Sequence, residues 1–166
     1  MSIEHTHAAG ETLAREAHSL DSRDWDAWLD LYTEDAIFWV PAWKSEHQTT
    51  ESPNTELSLI YLSGRSAMEE RIARIRSGLS VASMPLPRTT HLITSVLLEP
   101  RGVEDRLQVA SNWSVQIFQP KRNRQHTFFG SYSHILCHRH GEWRISSKTV
   151  VLKNDVIPAL IDFYCL

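Results

Sequence analysis

The side chains best suited to acid–base chemistry in this sequence are His91, Asp35, Tyr32 and Tyr61. A histidine and a carboxylate can move protons near neutral pH when a pocket holds them close to a substrate. A dehydratase-like pocket could therefore use His91 together with one of the tyrosines. The other interpretation of His91, which we favour, is a hydrogen-bonded histidine at a sheet edge or a subunit contact.

A second group of reactive side chains lies near the C-terminal end, where His134, His138 and His140 surround Cys137. On a regular strand, at about 3.3 Å per residue, His134 and His138 would be about 13 Å apart, which is too far for one ion. His140 falls in a predicted turn. The paired Cys and His spacings of a Rieske cluster are absent from the sequence, and no local spacing supports an iron site with two histidines and a carboxylate. We therefore predict no metal ligands in this chain.

Length and composition favour one globular domain, residues 1–166, with neither nucleic acid nor a membrane as partner. The net charge of −3 gives no basic footprint for nucleic acid, and no apolar run approaches the roughly 18 residues of a membrane helix. Cys137 and Cys165 do not make a disulfide framework, and the N-terminal residues lack the pattern of a signal peptide. We therefore expect a protein of the reducing cytoplasm.

The first half of the chain is predicted to be helical. A first helix spans Glu11–Leu20, after Gly10 as a weak start, and its apolar face consists of Leu13, Ala14, Ala17 and Leu20. Asp24 is the predicted N-cap of a second helix. The stripe of that helix, which is typical of core packing, consists of Trp25, Trp28, Leu29 and Tyr32. Ser66 and Glu69 have the spacing of a capping box, which opens a third helix through Arg76 and before Gly78.

Strands are predicted between and after these helices. Ala36–Val40 is apolar at every position, as expected of a strand covered on both faces, and Pro41 ends it or places it at an edge. A polar loop over residues 42–58 follows, and the apolar run Leu57–Leu62 is of uncertain type. Four long strands then follow, at Thr89–Leu98, Leu107–Gln119, Thr127–His138 and Trp143–Leu152. Turn residues separate them, at Pro100–Gly102, Pro120–Asn123 and His140–Gly141.

Helices followed by a four-stranded antiparallel meander predict the α+β class, with the N-terminal helices packed on a curved antiparallel sheet. This order resembles the cone-shaped nuclear-transport-factor-like (cystatin-like) fold. Steroid isomerases of that fold carry their general-base Asp just before a proline, in a motif similar to Tyr32–Pro41. Here Val40 occupies the base position and cannot take a proton. Asp35 remains, and its expected role is to close the turn between helix and strand.

Several segments together resemble the small (beta) subunit of aromatic-ring-hydroxylating dioxygenases, the Rieske non-haem iron oxygenases, and the benzoate, anthranilate and halobenzoate group in particular. The segments are Asp24–Tyr32, Phe38–Pro41, Ser45–His47, Leu57–Tyr61, Arg71–Arg76, Pro87–Ile93, Lys153–Pro158 and Asp162–Tyr164. They span nearly the whole chain, and their order and spacing make the set specific.

The resemblance implies a non-catalytic subunit without cofactors of its own. In that family the large (alpha) subunit holds the Rieske [2Fe–2S] cluster and the mononuclear iron, and NADH electrons arrive through a separate reductase. The complex adds both atoms of O₂ to an arene, and the small subunit is a homotrimer within an alpha-three beta-three hexamer.

The predicted contacts with the large subunit or within the trimer are Trp43, His47, Arg88 and His91. Two alternatives remain from the residues alone. One is a stand-alone cone-fold isomerase or dehydratase that uses His91, Asp35 and a tyrosine. The other is a small-molecule binding module.

Overall fold

The computed structural model describes residues 3–78, 84–99, 105–158 and 160–166, and this part of the chain contains three α-helices and one six-stranded sheet. The helices are α1 Ile3–Ser22, α2 Trp25–Asp30 and α3 Arg65–Arg76. The strands are β1 Tyr32–Pro41, β2 Ser58–Ser63, β3 Arg88–Leu98, β4 Arg106–Gln119, β5 Arg124–Arg139 and β6 Glu142–Leu152. The predicted α+β class is confirmed. No described helix is long and apolar enough to cross a membrane.

The strands lie in the order β2-β1-β6-β5-β4-β3, and the predicted meander β3 to β6 is confirmed as antiparallel. β1 extends the sheet by pairing parallel to β6, and β2 pairs antiparallel to β1. His140 and Gly141, with φ of 53° and 84°, form the predicted turn between β5 and β6, as a two-residue hairpin turn requires. The predicted turn Pro100–Gly102 lies outside the described residues.

Helix α1 is longer than predicted and buries a different face. It begins at Ile3 and passes through Gly10 without interruption, so Gly10 is not its start. Its buried residues are Ala9, Thr12, Leu13, Glu16, Ser19 and Leu20, whereas Ala14 is exposed. The buried face of α1 is therefore rotated about the helix axis relative to the predicted apolar face, because Thr12, Glu16 and Ser19 point inward.

The helix boundaries of α2 and α3 test the predicted caps. Asp24 caps α2 as predicted, since its Oδ1 accepts a hydrogen bond from the backbone N–H of Ala27 at 3.1 Å. The predicted capping box is wrong: α3 begins at Arg65 after Gly64, and Ser66 lies inside the helix. Gly78, with φ of 66°, follows Ser77, the C-cap of α3, in the left-handed conformation that ends many helices.

Strand β1 is covered on one face only. Ala36, Phe38 and Val40 point inward and are fully buried, while Ile37 on the opposite face is 36% exposed. The prediction of two covered faces is therefore wrong for this chain. Asp35 lies within β1 and is exposed, and its Oδ1 accepts a hydrogen bond from the Thr33 hydroxyl at 2.8 Å. It does not close the helix–strand turn as expected, because β1 already begins at Tyr32.

Candidate functional site

Glu16 is the centre of a buried polar cluster between α1 and the sheet. Its Oε1 accepts hydrogen bonds from Lys148 Nζ at 2.9 Å and from the Tyr32 hydroxyl, and its Oε2 lies 3.3 Å from His134 Nε2. Glu16 and Lys148 are each 1% exposed, and Tyr32 and His134 are fully buried. One helix and three strands thus contribute one charged or polar side chain each to the interior. We call these four residues the Glu16 cluster.

The charges of the Glu16 cluster are set by burial and by one another. Burial alone would raise the pKa of Glu16, but the Lys148 ammonium and the contacts with His134 outweigh it and hold that pKa far below its usual range. Burial lowers the pKa of His134, and the Glu16 carboxylate opposes this only in part. Burial, then the charge of Glu16, raises the pKa of Tyr32, so its hydroxyl remains a donor. The cluster is therefore an ion pair with two neutral donors.

The Lys148 ammonium has further partners besides Glu16. Burial lowers its pKa, while the Glu16 carboxylate favours the charged form. Its Nζ lies 4.2 Å from the centre of the Tyr132 ring and 5.5 Å from that of Phe38, and the negative faces of such rings attract a cation. It also donates to the carbonyl oxygen of Leu166 at 3.5 Å. These contacts replace much of the hydration that Lys148 loses in the interior.

Aromatic side chains fill the rest of the space between helices and sheet. Trp28 stacks on Phe163 with ring centres 4.5 Å apart and lies 5.0 Å from the Tyr32 ring. Trp113 stacks on Tyr132 at 5.1 Å. Val40, at the position where steroid isomerases carry their base, is fully buried. In the described part of the chain, the space between the helices and the sheet is therefore packed with aromatic and apolar side chains.

His91 forms a tight pair with Asp21 at the end of α1. Its Nδ1 lies 2.6 Å from Asp21 Oδ1, which also accepts from the Thr89 hydroxyl at 2.9 Å, and its backbone N–H donates to Asp21 Oδ2 at 2.9 Å. The His91 side chain is 2% exposed. Burial would raise the pKa of Asp21, but the hydrogen bonds and charge of His91 lower it. The pair fastens α1 to the edge strand β3, as expected of a hydrogen-bonded histidine at a sheet edge.

The predicted acid–base residues do not converge. His91 faces Asp21, Tyr32 faces Glu16, and Asp35 is exposed on β1. The described pockets bring none of them together with Tyr61. This arrangement does not favour a stand-alone isomerase or dehydratase, which would need these side chains close to one substrate.

The histidines near Cys137 are dispersed in the same way. His134 belongs to the Glu16 cluster, the His138 ring lies 5.0 Å from Trp143, and His140 lies in the turn before β6. Within the described residues, no group of three or more His, Cys, Asp and Glu side chains could hold a metal ion.

Trp43 and His47 lie on the loop between β1 and β2. Trp43 is 43% exposed, and its indole N–H donates to the carbonyl oxygen of Leu152 at 2.7 Å. It lines an open groove of about 630 Å³ together with Leu59 and Ile157, which are themselves partly exposed. His47 is exposed at the tip of the loop. The loop therefore holds one large aromatic side chain at the surface in a fixed position.

Hydrogen bonds within the loop between β1 and β2 hold it in one conformation. Ala42 and Thr50 bond to each other twice, at 2.7 and 3.0 Å. The Glu56 carboxylate forms an ion pair with Lys44 and accepts from the backbone N–H groups of Glu51 and Ser52. The bond to Lys44, then those backbone donors, lower the pKa of Glu56 to about 2.

Arg88 lies at the same end of the sheet as Trp43 but on its opposite edge, since β3 and β2 are the two edge strands. It is exposed, and its guanidinium lies 5.7 Å from the centre of the Phe118 ring. The four residues predicted as contacts thus divide into a loop pair, an exposed arginine and an internal histidine. They do not form one continuous surface.

Sequence reasoning missed Glu16 and Lys148, although both stand on inward positions. Lys148 alternates with Val150 and Leu152 on β6, and all three are buried. Glu16 lies between Leu13 and Leu20 on the buried face of α1. The sequence does contain one sign of this pair, a lysine that alternates with buried apolar residues along a strand. A buried charge of this kind needs a partner on another element.

Comparison with known proteins places this architecture in a family. Residues 15–159 match the family described as ring hydroxylating beta subunit. The beta subunit of benzoate 1,2-dioxygenase from Acinetobacter baylyi is 40% identical over 154 residues, covering 92% of this chain and 88% of that protein. The small subunit of anthranilate 1,2-dioxygenase from the same organism is 35% identical over 164 residues, covering 99% of each.

A solved structure extends this similarity to the fold. The crystal structure of the benzoate 1,2-dioxygenase beta subunit from Burkholderia mallei matches with a TM-score of 0.77 at 36% identity, over 95% of this chain and 94% of that one. The predicted cone-shaped fold is confirmed.

Proposed function

The chain belongs to the ring hydroxylating beta subunit family, and from this premise we propose that its enzyme dihydroxylates a benzoate-like aromatic carboxylate. The chain is a subunit of a multicomponent aromatic-ring dioxygenase and pairs with an alpha subunit. The Rieske cluster and the mononuclear iron belong to that alpha subunit. We further propose that residues 1–166 act as one domain and that the complex works in the cytoplasm.

The names of the relatives support the proposed substrate class. Benzoate and anthranilate, which appear in the names of relatives 40% and 35% identical to this chain, are both single aromatic rings with a carboxylate. The proposed reaction adds both atoms of O₂ to such a ring and gives a cis-dihydrodiol. The two electrons come from NADH through a separate reductase.

The packed interior is the observation that supports a structural role for this chain. Trp28, Phe163 and the Glu16 cluster fill the space between the helices and the sheet. Val40 replaces the general base. A chain that has lost the pocket and the acid can still position a partner, and we propose that it supports the alpha subunit.

We propose the Trp43 groove as a contact with the alpha subunit. A half-exposed tryptophan with a fixed indole is typical of the residues that dominate binding at interfaces. His47 on the same loop and Arg88 at the same end of the sheet are the proposed polar contacts. His91 acts from within, because its bonds to Asp21 hold the strand that carries Arg88.

We propose that the outer face of the sheet forms the homotrimer within an alpha-three beta-three hexamer. Across this face, Leu97 on β3 pairs with Ala110 on β4, which pairs with Ser133 on β5. Leu92, Leu97 and Phe129 remain exposed. Small side chains between exposed apolar ones let another chain approach closely, and covering them removes an aggregation-prone surface.

Co-expression with an alpha subunit tests the proposal. We expect one complex by native mass spectrometry with equal numbers of the two subunits, and O₂-dependent conversion of benzoate when the reductase and NADH are added. We expect the isolated chain to turn over no arene. Stoichiometric iron in the isolated chain, or arene turnover by it, would contradict the structural role.

A further inference from the structure

A pocket of about 370 Å³ opens at the end of the sheet where β4 turns into β5, and the proposed function does not use it. Its inner wall is formed by Ile117 and His126, which are cross-strand partners on β4 and β5. Tyr164 from the C-terminal segment and Met84 from the segment before β3 add apolar surface beside Ile117. The pocket lies at the low end of the roughly 300–1,000 Å³ range of small-molecule sites, a size that suits one aromatic ring.

The charged side chains that line this pocket are both cationic, and the neutral Gln119 amide lies among them. Lys121 and Arg122 stand in the turn at its rim, are exposed, and form no ion pair within the described part of the chain. The half-buried His126 ring packs edge-on against Phe128 at 5.0 Å, and its nitrogens have no hydrogen-bond partner among the described residues. Burial lowers the pKa of His126. The described lining contains no Asp or Glu, so its donors lack an anion.

The geometry points to a binding site for a single-ring aromatic carboxylate at this pocket. The ring would lie against Ile117, Met84 and Tyr164, the carboxylate would meet Arg122 and Lys121, and the His126 N–H would donate to one of its oxygens. Guanidinium and carboxylate groups pair well because their geometries match. The inference takes its ligand class from the proposed function, and it describes binding without chemistry.

A groove lined by three arginines provides a contrast. About 750 Å³ of open space on the outer sheet face is lined by Arg106, Arg139 and Arg144, but also by Glu34 and Asp35. Those carboxylates compete with a bound anion, and Arg144 already pairs with Glu142 at 3.4 Å. We therefore expect no carboxylate binding there. Arg139 supplies the matched control, because it is also exposed and unpaired within the described residues.

Benzoate titrated into the purified chain, followed by nuclear magnetic resonance, tests the inference. We expect saturable shifts at His126, Ile117 and Tyr164 with a dissociation constant on the order of millimolar, as for a ligand of so few atoms. Benzamide, which has the same shape without the charge, should bind about tenfold more weakly. Arg122→Met with Lys121→Met should weaken benzoate about tenfold or more, and Arg139→Met should leave it unchanged.

Each contrary outcome overturns the inference. Shifts that do not saturate, equal affinity for benzamide, or affinity unchanged in the Arg122→Met, Lys121→Met chain would each exclude this carboxylate site. Assembly with the alpha subunit and benzoate turnover are measured separately. An active complex whose small subunit binds no benzoate overturns only the inference, whereas a chain that binds benzoate without assembling overturns only the proposed function.

Discussion

Lys148 Nζ lies 2.9 Å from Glu16 Oε1 in the interior, where each side chain is 1% exposed. Bringing two charges out of water is costly, and the ion pair offsets this cost only while both partners are present. The cluster joins α1 to β1, β5 and β6 through Tyr32, His134 and Lys148. We infer that it fixes how the helix sits on the sheet.

Replacing Glu16 with Gln should strongly destabilise the fold. The substitution leaves the Lys148 ammonium buried without a counter-charge, and removing one partner of a buried pair costs about 3–5 kcal/mol. Urea unfolding followed by circular dichroism measures this loss. Glu11→Gln is the control, because its pair with Arg15 is exposed and worth at most about 1 kcal/mol. A loss from Glu16→Gln no larger than that of the control would refute the argument.

The free energy of unfolding should decrease as the pH falls, and Asp21 should contribute to the steepness of this decrease. The pKa values of Asp21 and Glu16 lie below their ordinary values of 3.8 and 4.5, so the unfolded chain takes up protons first as the pH drops. Their contribution is complete above these ordinary values and is lost as the pH falls through the lower folded-state values. Urea unfolding from pH 6 to about pH 2.5 should show a shallower decline for Asp21→Asn. A decline as steep in Asp21→Asn as in the wild type would contradict this role of Asp21.

The sequence predicted the features whose causes are local. The cap at Asp24, the turn at His140–Gly141 and the four strands of the meander each follow from a few adjacent residues. It did not predict that β1 lies parallel to β6, nor that Glu16 meets Lys148 across 132 positions. The residues next to Glu16 or Lys148 in the sequence do not indicate its partner. Whether a charge can be buried depends on the side chain that another element places opposite it. The predicted helix start at Gly10 is wrong for the same reason, because packing against other elements holds α1 together through Gly10.

Trp43→Ala should weaken binding to the alpha subunit by about 30-fold or more, as for a tryptophan at the centre of an interface. Trp43→Phe keeps an aromatic ring but loses the hydrogen bond to Leu152. Its affinity for the alpha subunit should therefore lie between those of the wild type and Trp43→Ala. Biolayer interferometry against immobilised alpha subunit measures both. Ile3→Ala is the control, since Ile3 is highly exposed on α1 and away from the groove. Wild-type affinity for Trp43→Ala would remove this groove from the proposed interface.

Ala110→Glu should dissociate the proposed homotrimer without unfolding the chain. Ala110 lies on the outer sheet face between Leu97 and Ser133, so the new carboxylate would be exposed in a monomer and buried unpaired in the interface. Light scattering after size exclusion should change from three chains to one. His18→Glu adds the same group to an exposed position of α1 and should leave the mass unchanged. A trimer that survives Ala110→Glu would place the interface on another surface.

Alanine substitutions at two glycines should change the free energy of unfolding in opposite directions. At Gly130 on β5, a Cβ atom would lie 1.8 Å from the backbone oxygen of Val151, so β5 and β6 would have to separate. We expect Gly130→Ala to lower the free energy of unfolding by at least about 2 kcal/mol. Gly10 lies in α1 with no atom within 4 Å of a new Cβ. Gly10→Ala should therefore stabilise by about 0.5–1 kcal/mol, since glycine loses more backbone freedom on folding. Thermal and urea unfolding of both variants measure the contrast, and a Gly130→Ala chain as stable as the wild type would contradict the close approach of the two strands.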